Sequence, residues 1–300
     1  MLSAMRNNLY SLDATALAEL ARRDVQAALA EDVGTGDLTA QLIDPSRKAS
    51  ARIVARESAV LCGRPWVEAA LTTLDPAVQL SWRVQEGQRM QANQTVLELQ
   101  GKACALLTAE RTALNFLQLL SGVASKTATY VAAVAGTGAQ IVDTRKTLPG
   151  LRLAQKYAVR MGGGVNHRVG LYDAILIKEN HIAAAGGIAQ VLVQARAQES
   201  RASFIEIEVE TLEQLREALA HDAAMVLLDN MDLATLRAAV AMNQELGSPR
   251  GIGPAILEIS GGVTLDGLRS LAETGVDRIS IGTLTKDVQA TDFSLRFDSL

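Results

Sequence analysis

Between residues 143 and 178 the sequence gathers Arg145, Lys146, Arg152, Lys156, Arg160, Arg168 and Lys178 against only Asp143 and Asp173. Seven cations against two anions give this stretch a local charge of +5, although the chain as a whole carries -4 and its remainder therefore -9. A cation cluster inside an acidic chain suits a local anion site. It does not suit nucleic-acid binding, which needs a broad basic face. A guanidinium such as Arg145 grips a carboxylate through two parallel hydrogen bonds, whereas the neighbouring Lys146 acts as a point charge. Arg152, Lys156 and Arg160 fall on one helical stripe, which is either a solvated face or part of the site.

The acidic partners are as patterned as the cations. In FIEIEVE, Glu206, Glu208 and Glu210 alternate with Ile205, Ile207 and Val209, so a strand would place the carboxylates on one face. On an edge strand that face would be solvated; inside a barrel it would point inward, where charges persist only when paired or metal-bound. The inward reading is the expectation, with Glu208 and Asp229 available to hold Mg2+ on a pyrophosphate. ISGGVTLDGLRSL sets Ser260, Gly261 and Gly262 ahead of a helix whose free N–H groups suit a phosphate, and SIGTLT supplies Gly282 and Thr283 similarly. MGGGVNHRVG brings His167 and Arg168 ahead of a strand that ends in Lys178. Cations, a few carboxylates and two phosphate loops together suit a substrate with several phosphates and a second anion. Cys62 and Cys104 have no metal spacing and predict a reduced, cytosolic compartment.

Strand-like runs must position these groups. AQIVD (139–143), AILIK (174–178), FIEIE (204–208), MVLLD (225–229), AILEI (255–259) and DRISI (277–281) alternate with helical patterns, which predicts parallel βα units. Six such strands, with a seventh from a less obvious segment, suggest a closed or nearly closed α/β barrel. The chemistry at the strand ends (Asp143, Lys178, Glu208, Asp229, Glu258 and Ser280) favours a barrel over an open doubly wound sheet.

Upstream, residues 14–30 read as an amphipathic helix, and short strands follow around a helix near Pro65 to Leu74. VQEGQRMQANQTVLELQG resembles the Gly-turn of biotinyl or lipoyl carriers but has no lysine at its tip, so a plain β-hairpin is expected. A long helix from Ala103 to Gly136, broken at Ser121-Gly122, would bridge two domains: an α+β domain at 1–120, completed by the tail 287–300, and a barrel domain at 121–286. No continuous apolar region opens the chain, and no stretch of about 18 uncharged apolar residues occurs.

EDVGTGDLT, ERTALNFLQLLSGVAS, DTRKTLPGLR, KYAVRMGGGVNHRVGLYDAILIKENH, EVE, LDNM, EISGGV and GVDRISIGTLT, in this order, closely resemble the quinolinate phosphoribosyltransferase family across nearly the whole chain. The resemblance implies an α/β fold: an incomplete, open α/β barrel with an N-terminal open-faced α+β sandwich domain. It implies a cytoplasmic enzyme of NAD biosynthesis that converts quinolinate and phosphoribosyl pyrophosphate to nicotinate mononucleotide, pyrophosphate and CO2. It also implies a homodimer or higher oligomer in which a neighbour contributes Arg111 to a shared site. By motif, Arg145, His167, Arg168 and Lys178, with Arg111 from the partner, would bind the two quinolinate carboxylates, Thr144 would belong to the substrate-binding set, and Lys146 would approach the substrate or the pyrophosphate. Glu208 and Asp229 would hold the ribose hydroxyls and Mg2+, while Ser260, Gly261, Gly262, Gly282 and Thr283 would cradle the 5-phosphate. Catalytic work would fall on Lys146, Lys178, Glu208 and Asp229. Two departures stand out: Ile259 where the resemblance leads to Ala, and a longer connection at 247–255. Rival readings are a Schiff-base aldolase using Lys178 and a non-catalytic binding protein that keeps the fold.

Overall fold

The computed structural model describes residues 12–247 and 253–299. Most of the long connection at 247–255 and the first eleven residues lie outside them. The chain divides into two compact units.

The first unit comprises residues 12–128, 147–163 and 284–299 among those described. Helix α1 (Ala14–Val33) starts where the Asp13 carboxylate accepts the Ala16 N–H at 2.8 Å, a side-chain cap that defines the helix entry. Strands β1 (Lys48–Ala55) and β2 (Ala59–Val60) precede α2 (Arg64–Leu74), then β3 (Gln79–Trp82), β4 (Arg89–Met90), β5 (Thr95–Lys102) and α3 (Ala103–Ala133). In β1 the small and apolar Ala49, Ala51 and Ile53 alternate with more exposed residues, the half-buried pattern of an open-faced sheet. β3 and β5 pair antiparallel, Leu80 opposite Leu99. The connection between them is not the simple hairpin expected, because β4 leaves to pair with β2, Arg89 opposite Val60.

α3 runs unbroken through Ser121-Gly122. Ser121 Oγ donates to the Cys62 carbonyl at 3.1 Å and accepts the Cys62 N–H at 3.0 Å. A Cβ at Gly122 would strike the Gln289 carbonyl oxygen. The two residues therefore permit close packing and do not stop the helix.

The second unit comprises residues 129–146 and 164–283. Its strands are β6 (Gln140–Val142), β7 (Ile175–Ile177), β8 (Ile205–Val209), β9 (Met225–Asp229), β10 (Ile256–Ser260) and β11 (Arg278–Ser280). They form one parallel sheet in the order β6-β11-β10-β9-β8-β7, one strand for each run read in the sequence. β6 and β7 do not pair, so the barrel is open. Among the described residues no seventh strand joins this sheet; a one-residue parallel bridge links Val142 and Val165.

The remaining elements split between the units. α4 (Arg152–Met161), α10 (Thr283–Lys286) and β12 (Phe293–Ser299) follow the first unit, apart from Thr283, and β12 pairs antiparallel with β1. Lys156 is 0% exposed, and Arg152 and Arg160 are half-buried, so the stripe on α4 is not a solvated face. The second unit carries α5 (Glu179–Ala185), α6 (Ile188–Arg196), α7 (Leu212–Ala220), α8 (Leu233–Leu246) and α9 (Leu265–Ala272). α7 and α8 begin at Thr211 and Asp232, whose side chains accept the N–H groups of Gln214 and Thr235. Among the described residues no helix is long and apolar enough to cross a membrane.

The period-two alternation of parallel strands stacks this sheet's inward side chains in layers. Ala174, Phe204, Met225 and Ile256 form an apolar cluster at the strand starts. Two residues further along lie Glu206, Leu227, Glu258 and Arg278, all buried. The third layer, at the carboxyl ends, is where Lys178, Glu208, Asp229 and Ser260 emerge.

Two glycine substitutions should move stability in opposite directions. Gly122→Ala forces a methyl into backbone and is expected to lower the unfolding free energy by about 1–3 kcal/mol. Gly267→Ala, in α9 with open space around its added Cβ, should raise it by up to about 1 kcal/mol. Denaturant midpoints at unchanged slope measure both.

Candidate active site

The three glutamates of β8 are graded along the strand. Glu206 is 0% exposed, Glu208 is half-buried, and Glu210 lies exposed beyond the end. The inward expectation thus holds for the first two. Lys178 sits just past β7, where its N–H donates to His181 Nδ1 at 2.9 Å and its Nζ donates to Glu208 Oε2 at 2.6 Å. An exposed lysine held by a carboxylate is not the apolar-pocket amine that a Schiff-base aldolase needs. Glu258, expected at or just before a carboxyl end, stands in the middle of its strand. β10 continues to Ser260, and Glu258 lies buried with its Oε2 2.8 Å from Arg278 Nε. Ser280 does end its strand, β11, and its hydroxyl donates to the Ile259 carbonyl at 3.2 Å. Ile259 itself is buried and pairs in register with Ile279, within the sheet.

Asp229 ends β9, and Asn230 follows in the left-handed region at φ +53. The Asn230 amide donates to Asp229 Oδ2 at 3.0 Å. A Cβ on Gly261, itself at φ +99, would come within 2.7 Å of Asn230 Oδ1 and 3.4 Å of Asp229 Oδ1. The carboxylate, the amide and the first glycine loop are therefore in contact. The second loop touches the cation segment: a Cβ on Gly282 would lie 3.0 Å from Lys146 Cδ and 3.5 Å from Thr144 Oγ1, which also accepts the Lys146 N–H at 3.0 Å. Burial raises the Asp229 pKa and nearby Glu208 adds to the rise, while Lys178 and Lys146 oppose it.

Asp143 anchors the other side. It accepts the Asn166 amide at 2.6 Å and the His167 N–H at 2.9 Å. Asp173 accepts the N–H groups of Val169 and Gly170 at 2.8 Å each. His167 is buried, with Nε2 2.8 Å from Glu206 Oε2 and Nδ1 accepting the Arg168 N–H at 2.7 Å. Both ring nitrogens are thus engaged within the chain. Burial pushes the Glu206 carboxyl up to about 7, with Arg278 and Arg168 opposing. Burial, then Glu206, raises Glu258. Arg168 is half-buried; burial and then the like charge of Arg145 lower its pKa, with Asp173 and Glu206 opposing.

Thr144, Arg145, Lys146, His167, Arg168, Lys178, Glu208, Asp229, Ser260, Gly261, Gly262, Gly282 and Thr283 all fall in the second unit, at strand ends or in the loops that follow. Arg111 lies exposed on α3 in the first unit. Asn166, Asn230 and Arg278 belong to the constellation but escaped the sequence reading. The lone Arg inside the apolar run DRISI was the one available signal.

Among the described residues one group of three metal-capable side chains clusters: His167, Glu206 and Glu258. The imidazole hydrogen bond and the Arg278 ion pair already occupy that group. Glu208 and Asp229, close enough for Glu208 to raise the Asp229 pKa, could instead hold a divalent cation.

The sequence matches the family model described as Quinolinate phosphoribosyl transferase, N-terminal domain, over residues 37–121, and its C-terminal domain counterpart over 123–296. The probable nicotinate-nucleotide pyrophosphorylase [carboxylating] of Bacillus subtilis is 42% identical over 265 residues, covering 88% of this chain and 89% of the relative. The Mycobacterium leprae nicotinate-nucleotide pyrophosphorylase [carboxylating] is 42% identical over 284 residues, covering 92% and 97%. A solved structure of the nicotinate-nucleotide pyrophosphorylase from Francisella tularensis superposes with a TM-score of 0.89 at 41% identity, covering 97% of this chain and 99% of the other. With both family models matched in order and relatives of this identity along most of its length, the chain belongs to the quinolinate phosphoribosyltransferase family.

Proposed function

We propose that this enzyme transfers the phosphoribosyl group of phosphoribosyl pyrophosphate to quinolinate, releasing pyrophosphate and CO2 and forming nicotinate mononucleotide for NAD biosynthesis. Beyond family membership, the observation that carries the reading is the pairing of Arg145 with Arg168. Burial and then the nearby charge of Arg145 lower the pKa of half-buried Arg168, and two neighbouring guanidiniums of this kind are complementary to an anionic ligand. Quinolinate supplies two adjacent carboxylates, and Lys178 stands ready with a third cation. Arg111 is exposed, as a residue donated to a neighbouring copy's site must be. The free thiols Cys62 and Cys104 suit a cytoplasmic setting.

The mechanism is positional and electrostatic. Glu208 and Asp229 hold the ribose hydroxyls beside the leaving group, and the loops at Ser260–Gly262 and Gly282–Thr283 hold the 5-phosphate. Mg2+ bound with the donor at Glu208 and Asp229 would neutralise charge on the pyrophosphate. Lys146, lying against Gly282, puts a positive charge beside the phosphates. Arg145 and Arg168 hold the pyridine dicarboxylate so that its ring nitrogen faces the ribose carbon. Once the ring nitrogen is ribosylated, the bond from the adjacent ring carbon to its carboxylate breaks, CO2 leaves, the pyridinium charge stabilises the electron pair left on that carbon, and the carbon takes up a proton from solvent. No side-chain nucleophile is needed.

Incubation with quinolinate, phosphoribosyl pyrophosphate and Mg2+ should yield nicotinate mononucleotide and CO2, and absence of both products overturns the reading. Chelating the divalent cation should stop turnover. Arg145→Ala and Arg168→Ala each remove a charge-assisted contact of about 1.5–3 kcal/mol, so the quinolinate KM should rise more than about tenfold with the fold intact. An unchanged KM in both variants refutes the carboxylate assignment. Asn230→Gly keeps the left-handed backbone but loses the amide that holds Asp229. It should raise the phosphoribosyl pyrophosphate KM about fivefold, the equivalent of one hydrogen bond, and leave the quinolinate KM unmoved. Asn230→Ala should do the same and also lose about 1 kcal/mol of stability to backbone strain.

A further inference from the structure

The imidazole of His167 is read from both sides. The Arg168 N–H points at Nδ1 from 2.7 Å, so Nδ1 must present a lone pair. The ring proton then stands on Nε2, 2.8 Å from Glu206 Oε2. The other neutral tautomer would set two N–H groups against each other and turn a bare nitrogen toward a carboxylate. A doubly protonated ring fails at the same Nδ1 contact. The second carboxylate nearby does not compete: Glu258 Oε1 is 3.6 Å from Nε2, and its other oxygen is tied to Arg278. Phe204 packs edge-on against the ring, with centroids 5.2 Å apart, and removes rotational freedom.

The backbone around the ring is fixed before and after it. Asp143 holds the His167 N–H, and Asp173 holds those of Val169 and Gly170. Between them, the Arg168 N–H takes its acceptor from the imidazole. We infer that Glu206 is a positioning residue: it selects the Nε2–H tautomer of His167, which anchors the Arg168 backbone and so aims the Arg168 guanidinium at the substrate carboxylate. Glu206 itself is 0% exposed, inside the sheet. Its action through a histidine is the arrangement by which a carboxylate fixes an imidazole's tautomer and ring plane. The inference rests on the reading of Arg168 as a carboxylate ligand, and it makes His167 a neutral brace and not a source of charge.

The chain has three histidines, His167, His181 and His221, so nitrogen-15 NMR of the histidine-labelled, substrate-free protein can be assigned by single substitutions. In the parent protein His167 should show a protonated Nε2 and an unprotonated Nδ1 at neutral pH. An Nδ1–H or doubly protonated ring overturns the inference. Glu206→Leu should scramble that pattern and raise the quinolinate KM about tenfold, the equivalent of one charge-assisted hydrogen bond, with the phosphoribosyl pyrophosphate KM unmoved. Glu206→Gln retains a carbonyl acceptor and should restore both the tautomer and the KM. A folded Leu variant with parental quinolinate KM, or a Gln variant as impaired as Leu, also overturns it. Should Leu fail to fold, the parent spectrum and the Gln variant decide. The NMR reading needs no substrate, so a correct tautomer in a protein that does not turn over quinolinate sinks the proposed function and leaves the brace standing.

Discussion

Glu258 and Arg278 meet at 2.8 Å inside the second unit's sheet, one 0% and the other 1% exposed. They lie directly opposite each other on adjacent parallel strands. Burying two charges costs several kcal/mol each, and their attraction barely offsets it, so the pair contributes little net stability. What it enforces is register. A slip of one residue between β10 and β11 would turn one of the two partners outward and leave the other charge alone in the core, an error of about 3–5 kcal/mol. Residues two positions further along the same strands, Ser260 and Ser280, inherit that register. Through β9, paired residue by residue with β10, so does Asp229. The charged middle layer therefore acts as a ruler for the layer above it, where the chemistry is.

Two kinds of electrostatics meet at that upper layer. On one side Lys178 pairs with Glu208 across 2.6 Å, with side chains 49% and 15% exposed. An ion pair this wet is worth at most about 1 kcal/mol, so its lysine can exchange partners when a stronger anion arrives. On the other side Arg145 depresses Arg168, and the opposing carboxylates, Asp173 and Glu206, are committed to the backbone of Val169 and Gly170 and to the His167 ring. One half balances its own charge and suits a polyol and a cation-bearing phosphate. The other half is cationic and rigidly braced, and suits carboxylates. In the proposed reaction Lys178 links the two halves, since it can turn from Glu208 to a quinolinate carboxylate.

What could be read from the sequence was whatever is written locally. Each of the six parallel strands is a short apolar run between helical patterns, and all six are present. The inward turn of Glu206 and Glu208 follows from a two-residue period and needs no knowledge of distant contacts. The errors are non-local. Ser121-Gly122 looks like a helix break because the cost of glycine in a helix is local, whereas the packing that exploits it involves Cys62 and Gln289. The burial of Glu258 against Arg278 escaped the reading because that partner lies on the next strand, twenty residues away. β4 looked like half of a hairpin because its true partner, β2, precedes it by a whole helix. Asn230 carried no pattern: a single asparagine after a strand shows its left-handed backbone and its grip on Asp229 only once Gly261 is folded against it.

The concentration of charge that first marked the site is itself divided by folding. Of the seven cations between residues 143 and 178, Arg152, Lys156 and Arg160 leave with α4 for the first unit, where Lys156 is buried outright. Arg145, Lys146, Arg168 and Lys178 remain in the second. The two anions of the stretch stay with them, yet neither subtracts simply from the site's charge. Asp143 spends its lone pairs on Asn166 and His167, and Asp173 on the Val169 and Gly170 N–H groups. Their charges are turned into backbone hydrogen bonds that hold the loop carrying Arg168. Linear charge counting thus finds the right segment for a partly wrong reason. It misses that the intervening aspartates hold the loop that carries Arg168.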